Sequence, residues 1–201
     1  RTYFRDHVRA GRLTSQGITG GVNAVERVNI GRLNIGPLNY ETLTASLADL
    51  GHIENQRGIK VLGLMNFGLI KDFEILIDAS QNELQLFRVD KEGNRVSQAG
   101  SATKYDCIQE MMISGNILFL KAEVNGKQLK LCFDTGAEIC ALSVTVPKQV
   151  MSSVTIERKI ALRGAGTAKK EILYGRLGEM SLNGYKMRDV ETIVTSMESL
   201  S

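Results

Sequence analysis

The chain has 201 residues, of which 43% are hydrophobic and 23% charged, so it is long enough for one large or two small domains with a real core. The net charge of +3 is small, only 5% of the residues are aromatic and tryptophan is absent, which argues against a nucleic-acid-binding protein. No apolar run approaches the roughly 20 residues that a membrane-spanning helix needs. Twenty glycines beside two prolines are typical of turn-rich β structure.

The N-terminal region combines a charged start with a glycine-rich stretch. The first residues, RTYFRDHVRAG, lack a signal-peptide pattern and do not begin with Met, so we expect a fragment or a processed chain. The spacing of Phe4 and Val8 predicts a short helix over residues 1–12. Residues 15–25, SQGITGGVNAV, predict a hairpin tip, and the alternating residues 25–36 and 38–47 predict the strands that follow.

The middle of the chain contains an apolar strand, a hairpin and a polar segment. Residues 58–70, GIKVLGLMNFGLI, predict a strand that passes Gly63 and turns into a short helix. Residues 72–90 alternate on both sides of the turn residues DASQN, which predicts a β-hairpin. Residues 91–104, KEGNRVSQAGSATK, are polar and aperiodic, so we expect a linker.

The second half opens with another predicted hairpin. ILFLKAEV and KQLKLCF alternate in polarity and are joined by Asn125 and Gly126, a strong hairpin signal. Asp134 follows the second strand directly and is succeeded by Thr135 and Gly136. An ordinary turn is one interpretation, because Asp and Gly favour turns; a catalytic carboxylate held in a tight loop is the other. Residues 160–184 and 189–200 predict further strands and glycine-rich turns.

Cysteine and histidine provide no recognisable metal or nucleophile pattern. The three cysteines, Cys107, Cys132 and Cys140, lack the close pairs of a zinc site. Cys132 and Cys140 flank the loop that begins at residue 134, and either a disulfide or two buried thiols is compatible with the sequence. His7 and His52 lie among polar residues, so we expect solvated histidines, and we expect neither metal nor cofactor.

Two similar stretches indicate an internal repeat. ETLTASLADL (residues 41–50) matches ETIVTSMESL (residues 191–200), and each is preceded by a glycine-rich tip and a strand. We interpret the chain as two related units cut in different places. The predicted division is the C-terminal part of a first unit at 1–90, a linker at 91–104 and the N-terminal part of a second unit at 105–201.

Joined in order, the two units resemble the retropepsin-like aspartic proteases, and the likeness covers most of residues 15–90 and 111–200. Residues 134–137, Asp-Thr-Gly-Ala, are similar to the catalytic signature, and ALRGAGT (161–167) is similar to the flap over the substrate. VLG (61–63) and FEILIDASQNELQL (73–86) resemble the elements that close a unit. The chain departs from the two-lobed pattern in having a single Asp-Thr-Gly.

The resemblance implies an all-β fold of incomplete β-barrel units and an aspartic endopeptidase that takes an extended peptide. Its water would be activated by a carboxylate pair that includes Asp134, with Thr135 and Gly136 shaping the loop. The second aspartate would come from an upstream segment or from a dimer partner. The implied flap residues are Gly164, Ala165, Gly166 and Thr167 in one unit and Gly17, Ile18, Thr19 and Gly20 in the other, and the residues beneath the catalytic loop are Val61, Leu62 and Gly63.

Two other interpretations stay open at this point. One is a non-catalytic peptide-binding or structural module with the same fold, because a single carboxylate cannot share a proton. The other is a permuted arrangement in which residues 58–90 complete the unit at 105–201, within one molecule or between molecules. The resemblance is to a family with bacterial members that are often exported, which makes the periplasm the expected compartment by analogy.

Overall fold

A computed structural model describes residues 9–17, 20–47, 54, 58–97, 105–115, 117–163 and 169–197. Three sheets account for the strands in these ranges, and the two helices named below are single turns. The all-β prediction is therefore confirmed. Within the described residues the strands form open sheets with unpaired edges rather than closed barrels.

The first sheet is an antiparallel meander of β1 (Arg9–Gly17), β2 (Gly20–Ile35) and β3 (Leu38–Leu47). The helix predicted over residues 1–12 is wrong where the structure describes it, since β1 begins at Arg9; residues 1–8 lie outside the described residues. Gly36 has a φ of +54° in the tight turn between β2 and β3, a conformation that glycine adopts without strain. The meander follows the predicted order of tip, strand, turn and strand.

A second, two-stranded sheet confirms the predicted hairpin at residues 72–90. The single-turn helix α1 (Phe67–Ile70) precedes β4 (Phe73–Asp78) and β5 (Glu83–Arg88). Asp78 closes the turn, because its Oδ1 accepts the N–H groups of Ser80 and Gln81 at 2.9 and 3.1 Å. Tyr40 in β3 donates its hydroxyl hydrogen to the Leu69 carbonyl at 3.0 Å, which ties α1 to the first sheet.

The first part of the segment predicted as a linker folds back onto this hairpin. Val89 and Arg95 form an isolated antiparallel bridge, and Val96 N–H donates to the Arg88 carbonyl at 2.9 Å. Arg95 also forms a two-pronged ion pair with Glu74, at 2.6 and 2.7 Å, and its guanidinium lies 3.8 Å from the centre of the Phe87 ring. Residues 98–104 lie outside the described residues, so the predicted boundary stays a prediction.

The third sheet contains the second half of the chain. Its central order is β6-β7-β11-β12-β9, with β8 paired to β7 and β10 paired to β11. All of these pairings are antiparallel except that between β9 and β12, which is parallel. The elements are β6 (Met112–Ser114), β7 (Ile117–Val124), β8 (Lys127–Phe133), β9 (Cys140–Ser143), the single-turn helix α2 (Lys148–Met151), β10 (Val154–Arg163), β11 (Lys169–Leu182) and β12 (Tyr185–Thr195).

The hydrophobic core lies on the two faces of this third sheet. On one face, Val124 and Val150 are fully buried and Leu177 is 2% exposed, in a cluster that joins β7, β9, α2 and β11. On the other face, Ile172, Tyr174 and Ile193 form a second cluster with half-buried neighbours from β9 and β10. Burying each large aliphatic side chain contributes about 1.5–3 kcal/mol. Most of the described core therefore belongs to residues 117–195.

One glycine is required by the packing of two strands. A Cβ added to Gly175 in β11 would lie 2.1 Å from the carbonyl oxygen of Thr155 in β10, a distance no real contact has. The register of β10 shifts next to this position, between Ile156 and Arg158, as in a β-bulge. Close backbone approach at a bulge therefore explains why glycine stands at position 175.

Among the described residues, no helix has the length and apolar character that crossing a membrane requires.

Candidate active site

Asp134 stands at the end of the hairpin formed by β7 and β8, as the sequence predicts. Asn125 and Gly126 form its two-residue turn with φ values of 47° and 70°, the left-handed conformation of a tight hairpin turn. The pairing continues to Leu118 opposite Phe133, one residue before Asp134. The strand pairing thus fixes the position at which the acidic loop begins.

The loop itself is closed by the Asp134 carboxylate. Its Oδ1 accepts the N–H of Gly136 at 2.8 Å, and its carbonyl accepts the N–H of Ala137 at 3.3 Å. A Cβ added to Gly136 would lie 3.2 Å from Oδ1, so a larger residue would press on the carboxylate. Asp134 and Thr135 are exposed, and within the described residues the Thr135 hydroxyl forms no hydrogen bond that would brace the loop.

The chain leaves the loop into β9, which holds its other end. Ala141 in β9 pairs in parallel with Ile193 in β12, and Val144 N–H donates to the Thr195 carbonyl at 3.0 Å. Ile139 and Ala141 pack against the cluster that contains Ile193. The loop therefore joins an antiparallel hairpin to a parallel strand pair, and both ends belong to one sheet.

The cysteines on either side of the loop are free thiols, so no disulfide joins them in this structure. Cys132 in β8 and Cys140 at the start of β9 are both exposed. Partial desolvation, and secondly the negative charge of Asp134, raise the pKa of the Cys132 thiol above its ordinary value. Cys132 is therefore protonated at neutral pH and is a weak nucleophile.

The segment predicted to lie beneath the catalytic loop is exposed in this chain. Val61 is half-buried and its N–H donates to Glu54 Oε1 at 2.9 Å, whereas Leu62 is 71% exposed. Nothing lies within 4 Å of a Cβ added to Gly63. Leu62 therefore fills no apolar space in the described structure, and the predicted role of these three residues stays a prediction.

Most of the predicted flap residues lie outside the described residues. These are Gly164, Ala165, Gly166 and Thr167 in one unit and Ile18 and Thr19 in the other. Gly17 and Gly20 are described as the last residue of β1 and the first of β2, and they pair with each other. The pairing of β10 with β11 reaches Arg163 opposite Lys169, so both predicted flaps sit at the ends of long strand pairs.

The sequence does not reveal which residues of the sheet pack against the strand that follows the loop. Tyr174 in β11 is buried, and the guanidinium of Arg158 lies 4.7 Å from the centre of its ring. Desolvation, followed by a hydrogen bond and the charge of Glu191, raises the pKa of Tyr174. The alternation of Ile172 and Tyr174 marks one buried strand face, but the sequence does not say that β9 packs against it.

In the described part of the chain, neither a crevice nor a group of metal-binding side chains forms a second candidate active site. A polar crevice of about 350 Å³, lined by Glu123, Asn125 and Lys186 among others, lies at the turn end of the β7–β8 hairpin, opposite to Asp134. The described residues contain no group of three or more His, Cys, Asp or Glu side chains able to hold a metal ion. Asp134 is therefore the best-placed candidate for chemistry in this unit.

Comparison with known families supports this assignment. Residues 120–201 match a family model described as aspartyl protease, and this range includes β8, the loop at 134–137 and β9. No curated protein matches the chain. The match covers residues 120–201 and supports a retropepsin-like aspartyl protease family for this part of the chain.

Proposed function

We propose that the protein is an aspartic endopeptidase in which Asp134 of one chain pairs with Asp134 of a second chain. The observation that carries the proposal is the position of Asp134, at a strand end within the segment that matches the aspartyl protease family. Its carboxylate is exposed and oriented by the Gly136 N–H. An exposed, oriented carboxylate is accessible to a partner.

The chemistry follows from placing two carboxyl groups at hydrogen-bonding distance. Two negative charges so close cannot both persist, so the pair retains one proton. The ionised group removes a proton from a water molecule, and the protonated group donates to the oxygen of the scissile carbonyl. The titration belongs to the pair as a whole. Activity should therefore fall on both the acid and the alkaline side of an optimum.

The substrate in this proposal is an extended peptide or an unfolded protein. The long pairs β1–β2 and β10–β11 end at the two predicted flaps, where a peptide backbone can add hydrogen bonds in the manner of an extra strand. Closure of such tips excludes water from the reacting groups. The glycines predicted at both tips suit this movement because they lack a Cβ.

The proposal is tested by replacing Asp134. Asp134→Asn should abolish cleavage of a denatured protein at acidic pH while circular dichroism and thermal unfolding stay unchanged, because the residue is exposed and Asn can still accept the Gly136 N–H. Asp106→Asn, at another exposed aspartate of the same half, is the matched control and should keep full activity. Undiminished cleavage by Asp134→Asn would reject Asp134 as a catalytic residue.

Mixing subunits tests where the second carboxylate comes from. Adding excess Asp134→Asn chain to the native chain should suppress activity, because mixed pairs contain one carboxylate. Unchanged activity per native chain would mean that the partner aspartate comes from the same polypeptide.

A non-catalytic peptide-binding module is the second candidate, and the presence of a single Asp-Thr-Gly in the 201 residues favours it. That function predicts saturable binding of an unfolded polypeptide with no cleavage at any pH. Isothermal titration combined with mass spectrometry of the peptide separates the two functions.

A further inference from the structure

The third sheet has an open edge next to the candidate active site. β9 (Cys140–Ser143) is the terminal strand of its sheet and pairs only with β12 among the described residues. Its outer edge pairs with no other described strand, although the Ser143 carbonyl at its end accepts the N–H of Val146 at 3.2 Å. An edge strand of this kind is a template for another strand. Leu142 in the same strand is 6% exposed, so one face of this edge strand is apolar and continuous with the core.

The packing beside this edge is also incomplete. The Thr195 side chain, in β12 beside Ser143, is 3% exposed, and its hydroxyl has no hydrogen-bond partner among the described residues. A buried unpaired hydroxyl usually indicates a missing partner. A crevice of about 260 Å³ lies at this end of the sheet, between Val144, which follows β9 directly, and residues of β10, β11 and β12 that include Glu171 and Val194.

The same chain carries an apolar segment that pairs with no described strand. Residues 59–65 belong to no strand or helix, and Ile59, Leu62, Leu64 and Met65 are between 43% and 75% exposed. Exposed apolar residues so close together in the chain mark a surface that normally contacts another protein segment. The segment is exposed rather than placed on β9 of its own chain.

The internal repeat connects this segment to that edge. β3 and β12 are the third strands of two similar antiparallel meanders, and each carries a Glu-Thr pair whose glutamate lies opposite an arginine: Glu41 opposite Arg32, and Glu191 opposite Arg176. Residues 59–65 follow β3 along the chain. The repeat therefore predicts that the unit containing β12 needs an equivalent segment after β12. Within the 201 residues, residues 59–65 are the copy of that segment.

We propose that residues 59–65 of one chain bind as an added strand along the outer edge of β9 in a second copy of the chain. Each chain carries both the segment and the edge, and a reciprocal exchange of the two closes as a twofold dimer. Main-chain hydrogen bonds to β9 supply affinity, and Leu62 and Leu64, on one face of the added strand, extend the apolar face that contains Leu142. The proposal rests on the repeat and requires no peptidase activity.

Cys140 is a natural probe for this contact, because it is exposed and lies on the same face of β9 as Leu142. In one chain, the substitutions Cys107→Ser and Cys132→Ser leave Cys140 as the only thiol. A second chain, distinguished by mass, has all three cysteines replaced and carries Leu62→Cys or, separately, Leu64→Cys. The two chains are mixed under mild oxidation, and non-reducing electrophoresis and mass spectrometry follow the mixed dimer.

We expect mixed disulfides from position 62 or 64 to form at least about tenfold faster than random collision allows, because docked thiols react at a high effective concentration. Two matched controls should not show this rate. Gly63→Cys places its thiol on the opposite face of the added strand, and Leu84→Cys is an exposed position in β5 with no role in the contact. Equal rates from positions 62, 64 and 84, or no mixed dimer, would overturn the proposal.

A chain that carries both Leu62→Cys and the native Cys140 distinguishes the source of the strand. A covalent dimer supports exchange between copies, whereas a disulfide within one chain overturns it. Adding Asp134→Asn should leave the cross-linking rate unchanged. Loss of peptidase activity and failure of strand exchange are therefore separate outcomes.

Discussion

The described residues of 27–97 and of 105–197 are both built from strands, yet among them only the second region encloses a core. Val28, at 3% exposure, is the one buried residue among those described before residue 98. Leu177, Val124 and Val150 in the second region are each exposed by 2% or less. A meander and a hairpin can therefore form from local signals, whereas burial requires further strands or a helix that pack against the sheet.

The largest contrast between the two regions should come from deleting a core side chain. Leu177→Ala should lower the free energy of unfolding by about 2–5 kcal/mol, because it removes buried methyl groups and leaves a cavity. Leu84→Ala in β5, where the side chain is 56% exposed, should change it by less than about 0.5 kcal/mol. Urea unfolding of both variants measures the difference. Similar losses would mean that residue 84 is buried in solution, by the partner chain or otherwise.

Glycine substitutions should show the same contrast at the backbone. Gly175→Ala should cost about 1–3 kcal/mol, because its Cβ would meet the Thr155 carbonyl at 2.1 Å and β10 would have to move. Gly31→Ala in β2 has open space around its Cβ and should be neutral or stabilising by up to about 1 kcal/mol. Thermal unfolding of the two variants compares them. A tolerated Gly175→Ala would contradict the close approach of β10 and β11.

The smallest effect on stability is expected from the ion pair between Glu74 and Arg95 in the first region. Hydrogen bonds from Arg95, opposed in part by desolvation, lower the pKa of Glu74 below its ordinary value of 4.5. A carboxyl group whose pKa is lowered on folding stabilises the protein above 4.5, and that stability is lost as the pH falls through the lowered value. Glu74→Gln should therefore cause a small decrease in melting temperature at neutral pH that disappears in acid.

Glu92→Gln, at an exposed glutamate of the adjacent turn, is the control and should show no such pH dependence. Because the Glu74 and Arg95 side chains are partly exposed, added salt should also weaken the effect. An effect of Glu74→Gln that persisted in acid would point to lost packing against Phe87 rather than lost charge.

Local signals in the sequence were sufficient for the elements that position Asp134. Asn125 and Gly126 adopt the left-handed turn that their small or absent side chains allow, and the alternating strands on either side bring the acidic loop to the strand end. The hairpin of β4 and β5 follows from the same logic. These predictions depend on contacts between residues near in the chain, whose geometry the residue types restrict.

The surroundings of the loop depend on strand pairing between residues far apart in the chain. The parallel pairing of β9 with β12 joins residues about fifty positions apart, and no periodicity in either segment specifies its partner. The exposure of Leu62 could not be predicted either. Its apolar character predicts a core position, but no described residue covers it. Polarity determines which side chains benefit from burial, whereas long-range strand pairing determines which of them are buried.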